Sequence, residues 1–111
     1  MAAKVTEAQT LHDIRLRLGR EPDLALFRNQ VGTVCVDGRW IKHGIGVGSP
    51  DLIGILAPHG RWFCLEIKSP TGRVSAEQSQ WHMMARGKGA HVAVVRSVDE
   101  ALEELEKCRR A

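Results

Sequence analysis

Apolar residues recur along this chain in two rhythms, one helical and one alternating, and their order predicts the elements. Near the start Leu11, Ile14 and Leu18 share one stripe at about 100° per residue, with Glu7 at its head. Thr6 and Gln9 form a capping box, in which each side chain can satisfy an orphan backbone N–H, and Gly19 supplies a stop. A helix over residues 7 to 18 is therefore expected. Leu24 to Arg28 and Val31 to Val36 read as short extended segments, and Asp37-Gly38 is a turn signal before Arg39, Trp40 and Ile41. Gly44, Gly46 and Gly48 then lead into a strand from Asp51 to Ala57, and Pro58-His59-Gly60-Arg61 reverses the chain into a returning strand, Trp62 to Lys68.

Ser75 and Gln78 open a second capped helix that runs to Arg86, with Gly87 and Gly89 ending it. His91 to Arg96 is a β-rich, mostly apolar run suited to a central strand. Ser97 and Glu100 form a third capping box, and Val98, Ala101, Leu102, Leu105 and Cys108 make the buried stripe of a last helix. The order is helix, two or three strands with a central hairpin, helix, strand, helix. It calls for an α/β fold, a sheet with helices on both faces.

The central hairpin carries the chemistry. A two-residue turn at His59-Gly60 puts Asp51 opposite Lys68 and Glu66 opposite Ile53, diagonal to Asp51, with the carboxylates about 7–8 Å apart by backbone. All three charged side chains then leave one face, and Leu52, Leu56, Phe63, Leu65 and Ile67 fill the other. Two carboxylates crowded beside an ammonium are unfavourable unless something compensates them. A hard divalent cation does so: magnesium or manganese takes oxygen ligands, matching Asp51, Glu66 and a backbone carbonyl such as that of Ile67. Such an ion activates water and neutralises charge in phosphodiester hydrolysis, and Lys68 can assist. Read one at a time, the same residues also serve as a strand-entry cap and a surface ion pair.

Composition narrows the class. The chain has 111 residues, 43% hydrophobic and 26% charged, enough for one domain with one core. No signal peptide or bilayer-length apolar run is visible, so a cytoplasmic protein without membrane attachment is expected. Cys35, Cys64 and Cys108 have neither disulfide nor zinc-ligand spacing. The net charge of +3 is uneven: five of the 13 acids lie in residues 99 to 106, leaving eight acids against 16 bases elsewhere. That basic remainder suits a polyanion, and equally suits solubility. Arg73, Lys42 and Arg28 are the first candidates for phosphate contacts. The five histidines lack zinc-ligand spacing, and His43 alone lies near the glycine loop. The three tryptophans suit base stacking, or core and interface packing; Trp81, Met83 and Met84 are candidates for a dimer contact.

Pro50-Asp51, followed after fourteen residues by Glu66-Ile67-Lys68, resembles the PD-(D/E)XK nuclease signature. The segments TEAQ, FRNQVG, GSPDLIGIL, EIKSPTGRVSAEQSQW and GAHVAVVRSVDEAL together resemble the VRR-NUC family, the virus-type replication and repair nuclease domain, over nearly the whole chain. The resemblance implies a minimal restriction-endonuclease-like αβββαβα core with a mixed sheet, Mg2+ or Mn2+, and cleavage of branched DNA such as Holliday junctions. It also implies a homodimer, with stand-alone members in phages and bacteria. It maps an assisting metal-site acid onto Glu7 and a site glutamine onto Gln78. From the residues alone, Glu7 is equally a capping carboxylate, and Gln78 has a full explanation as a capping-box residue. Two other functions fit the fold: a nucleic-acid-binding module without turnover, and a sequence-specific restriction-type enzyme.

Overall fold

The computed structural model describes residues 5–111. Helix α1, Glu7–Leu18, begins at Thr6 with both halves of the expected capping box, and it buries Thr10, Leu11, Ile14 and Leu18. Strands β1 (Leu24–Arg28), β2 (Gly32–Val36), β3 (Arg39–His43), β4 (Leu52–Leu56) and β5 (Arg61–Ile67) follow. Helix α2, Ala76–Gly87, is capped reciprocally by Ser75 and Gln78. Strand β6 (His91–Val95) and helix α3 (Val98–Arg110) complete the chain. At α3 the third capping box is only half formed. Ser97 Oγ accepts from the Glu100 N–H, but the Glu100 carboxylate turns to the N–H of Arg96 instead of Ser97.

Four strands make the main sheet in the order β1-β4-β5-β6; the first three run antiparallel, and β6 lies parallel to β5 across the α2 connection. With β2 and β3 set aside, the order is αβββαβα, a mixed sheet flanked by helices. β2 and β3 pair only with each other, through the turn at Asp37 and Gly38. Their side chains are almost all exposed, so this hairpin extends the molecule without joining its core.

The β4–β5 register departs from expectation. Leu56 pairs with Arg61 and Leu52 with Leu65, so the connection is the four residues 57 to 60, and not a two-residue turn. Each pairing slips by two positions. Because side chains alternate with period two, a slip of two leaves every residue on its expected face. Leu52, Leu56, Phe63, Leu65 and Ile67 do fill one face, packing with Leu11, Ile14 and Leu18 of α1 and Ala101, Leu105 and Cys108 of α3. Each large side chain buried there contributes roughly 1.5–3 kcal/mol.

The opposite face is only half covered. Helix α2 packs over β5 and β6, joining Ala85 to Cys64 and Val92. Phe27, Ile55 and Trp62 lie on the same face of neighbouring strands and remain 56%, 46% and 48% exposed, Trp62 across a groove from Trp81 and Met84 of α2. Among the described residues no helix is long and apolar enough to cross a membrane.

Candidate active site

Strand β4 begins just after Asp51, and β5 ends just after Glu66. The ladder ends at Leu52–Leu65; carried one step further, its register sets Asp51 opposite Glu66, where a diagonal offset was expected. A directly opposed pair is closer than a diagonal one, so the corrected register tightens the carboxylate pair. Lys68, expected opposite Asp51, lies beyond the end of β5, where its N–H donates to the carbonyl of Val95.

The loop before Asp51 is fixed by a residue the sequence reading left without a role. Asn29 is 9% exposed; its Nδ2 donates to Ser49 Oγ and to the Pro50 carbonyl, each at 2.7 Å, and its Oδ1 accepts from the N–H of Ile45 at 3.1 Å. The Asn29 N–H donates in turn to the Asp51 carbonyl at 2.8 Å. The loop also lies hard against α2. A Cβ on Gly48 (φ +86°) would fall 2.3 Å from the Glu77 carbonyl oxygen, so only glycine allows that approach. Asp51 itself is held across the strands: Oδ2 accepts from the N–H of Ile67 at 2.8 Å.

Glu66 is 2% exposed and points towards α2, where His82 Nε2 lies 3.5 Å from its Oε1. Burial raises the Glu66 pKa far above the ordinary carboxylate range, and the neighbouring Asp51 carboxyl adds to the rise. The Lys68 ammonium opposes this shift, while the Glu7 carboxylate reinforces it. Burial lowers the His82 pKa, helped by the charges of Arg86 and Lys68. Glu66 thus feels Asp51, Lys68 and Glu7, and His82 feels Arg86 and Lys68.

Asp51 borders two cavities. One, of about 410 Å³, is lined by Glu66, Gln78, Arg28, Asn29 and the 47–49 loop among others. The second, of about 340 Å³, is lined by Glu7, Ala8, Leu11, Arg28 and Ile67. The donors fit a hard divalent cation: they are carboxylate oxygens, and Glu66 Oε1 is buried with no hydrogen-bond donor. Among the described residues, no three His, Cys, Asp or Glu side chains gather closely enough to hold a metal by themselves. An ion here would draw on Asp51 and Glu66 with backbone and water oxygens, which is ordinary for magnesium.

The remaining candidates divide. Gln78 lines the first cavity, but its Oε1 is occupied by the Ser75 N–H of the capping box. Glu7 reaches the second cavity from the first turn of α1, and Arg28 lines both. Lys42 lies on the exposed β2–β3 hairpin and Arg73 in the loop before α2; neither lines these cavities. Arg96, which had no assigned role, donates to the carbonyls of Ser69 and Gly72 and so ties down the loop after Lys68. Arg61 and Arg86 are spent on backbone carbonyls of Gly89 and Val92. Nothing in the sequence marked Asn29 or His82, because an isolated polar residue does not announce that it will be buried, or Arg96, whose partners lie 24 and 27 residues away.

The VRR-NUC domain family model matches residues 33–99, more than half of the chain. This chain belongs to the VRR-NUC family. The matched stretch runs from β2 to the first turn of α3 and includes Asp51, Glu66, Lys68, Gln78 and His82; Glu7, Arg28 and Asn29 precede it. A solved structure titled "VRR_NUC domain" is similar in fold, with a TM-score of 0.63 over 92% of this chain and 97% of that one. At 23% identity that likeness speaks for the fold alone. No curated protein matches. The VRR-NUC fold is a nuclease-type fold, and the paired carboxylates lie where its central hairpin opens.

Proposed function

We propose that this VRR-NUC protein is a magnesium- or manganese-dependent endodeoxyribonuclease that cuts branched DNA, four-way junctions in particular, as a homodimer. The observation that carries this reading is the convergence of Asp51 and Glu66 on one open cavity. Asp51, Glu66 and the Ile67 carbonyl would hold the cation, with Glu7 assisting from the second cavity. When bound, the ion supplies Lewis-acid chemistry at a phosphodiester.

The chain's own groups do the rest. Ile67 N–H fixes one Asp51 oxygen, leaving the other free to face the cavity. Lys68 brings a positive charge beside Glu66, where its Nζ can orient the attacking water or donate to a phosphate oxygen. Arg28, at the rim of both cavities, suits the phosphate that enters. Lys42 and Arg73, outside the cavities, suit more distant parts of the backbone, and Gln78 can offer its amide nitrogen to the substrate.

A second copy is the partner best suited to the bare apolar strip of Phe27, Ile55 and Trp62, continued by Met84, which is 46% exposed. A groove of about 480 Å³ lined by Ile45, Trp62, Trp81 and Met84 lies beside it. Pairing through that face would set two identical sites in fixed relation, as two symmetric cuts require.

The test is cleavage of a four-way junction, against linear duplex of the same sequence, with and without Mg2+ or Mn2+. Asp51→Asn and Lys68→Ala should each reduce kcat at least about a hundredfold. Binding of the junction without cutting, in the presence of either ion, would favour a non-catalytic module. Discrete fragments from linear duplex with the junction ignored would favour a restriction-type enzyme.

A further inference from the structure

Two buried side-chain polar atoms among the described residues have no hydrogen-bond partner, and they face each other: Glu66 Oε1 and His82 Nε2, 3.5 Å apart. Each residue is 2% exposed. A structural reading would have His82 hold α2 against the sheet, but α2 is already anchored in several other ways. Its N-terminus carries a complete capping box, its Glu77 carbonyl meets Gly48, and Ala85 packs with Cys64 and Val92. Burying an imidazole for packing alone is also unfavourable when an apolar side chain of similar volume could fill the space.

We infer that His82 is the positioning residue of Glu66: when the cation shared with Asp51 draws Oε2, His82 Nε2–H closes the 3.5 Å gap to donate to Oε1 and fixes the carboxylate. The inference rests on the metal-site reading above. Asp51 and, more weakly, Glu7 repel the ionised form of Glu66, which Lys68 only partly offsets. A carboxylate so surrounded would rotate away unless a donor held it. Partners behind a metal ligand fix its orientation in this way, and their loss typically weakens metal affinity about 10–100-fold. The sequence offers a simple signal only afterwards: His82 lies four residues beyond Gln78, on the same helical face, one turn further along α2.

The experiment is calorimetric titration of MnCl2 into the full chain, with thermal melting of each protein in EDTA. His82→Leu should bind Mn2+ about 10–100-fold more weakly than wild type. His82→Gln, whose amide nitrogen can occupy the place of Nε2, should stay within about threefold, and His82→Asn, whose amide falls short, should resemble His82→Leu. The EDTA melting temperatures should not follow that ranking. Equal Mn2+ affinity in wild type, His82→Leu and His82→Asn would overturn the inference while leaving the metal site standing. Loss of affinity in all variants in step with melting temperature would also overturn it, by making His82 structural. Absence of Mn2+ binding to wild type would sink the metal-site reading itself, and this inference with it.

Discussion

At the scale of single residues the site is a problem of uncompensated charge. Glu66 is buried beside Asp51, and its pKa is raised above the ordinary value of 4.5. A carboxyl whose folded pKa exceeds its unfolded pKa favours the folded state fully below the unfolded value, and that contribution is lost as pH rises through the folded value. The metal-free protein should therefore lose stability as pH climbs from 4.5 through the neutral range, as far as this group controls it. A cation needs the ionised carboxylate and displaces the proton. Mn2+ binding at neutral pH should then release a proton and tighten as pH rises. Calorimetry in two buffers of different ionisation enthalpy reads this directly; an identical heat in both would contradict the assigned burial of Glu66.

At the scale of elements, the site depends on how closely the loop before β4 approaches α2. Gly48 and Gly38 have similar positive φ values, +86° and +77°, but a Cβ on Gly48 would strike the Glu77 carbonyl while one on Gly38 would meet nothing within 4 Å. Both alanine variants carry the backbone penalty of about 1–2 kcal/mol, and Gly48→Ala adds the clash. Gly48→Ala should melt well below Gly38→Ala, by several degrees or more, and should also lose cleavage. Equal melting temperatures would mean that the loop is free to move off the helix. The helices, two of the three expected capping boxes and the buried face of the hairpin were legible from the sequence because they rest on local periodicity and on side-chain oxygens at fixed offsets. The β4–β5 register was not, since His59-Gly60 suits a two-residue turn as well as the end of a four-residue one. The separation of β2 and β3 from the main sheet was equally hidden. Val34, Val36, Trp40 and Ile41 look like core strand residues, and only tertiary placement leaves them outside. The acids and the lysine were singled out by spacing; Asn29, Arg96 and His82, which hold the loops beside them and face the buried acid, act over long range and left no such trace.

At the scale of the whole molecule, one sheet face is finished by α1 and α3 and the other is left open beyond α2. Phe27, Ile55 and Trp62 form an exposed apolar strip on the same sheet face as Glu66, so the surface proposed to join two copies and the site that would cut DNA share a face. Trp62→Glu places a charge at the β5 end of that strip and leaves the α1–α3 core untouched. It should shift the protein to a monomer in sedimentation or light scattering, preserve folding, and abolish paired cuts on a junction while leaving slow single nicks. A variant that stays dimeric would move the interface elsewhere. All of this depends on a cation bridging the paired carboxylates. Anomalous diffraction from crystals soaked in manganese tests that most directly: the account predicts a peak coordinated by both Asp51 and Glu66, lost in Asp51→Asn crystals. A peak held by other residues, or none in crystals of protein that still cuts DNA, would contradict it.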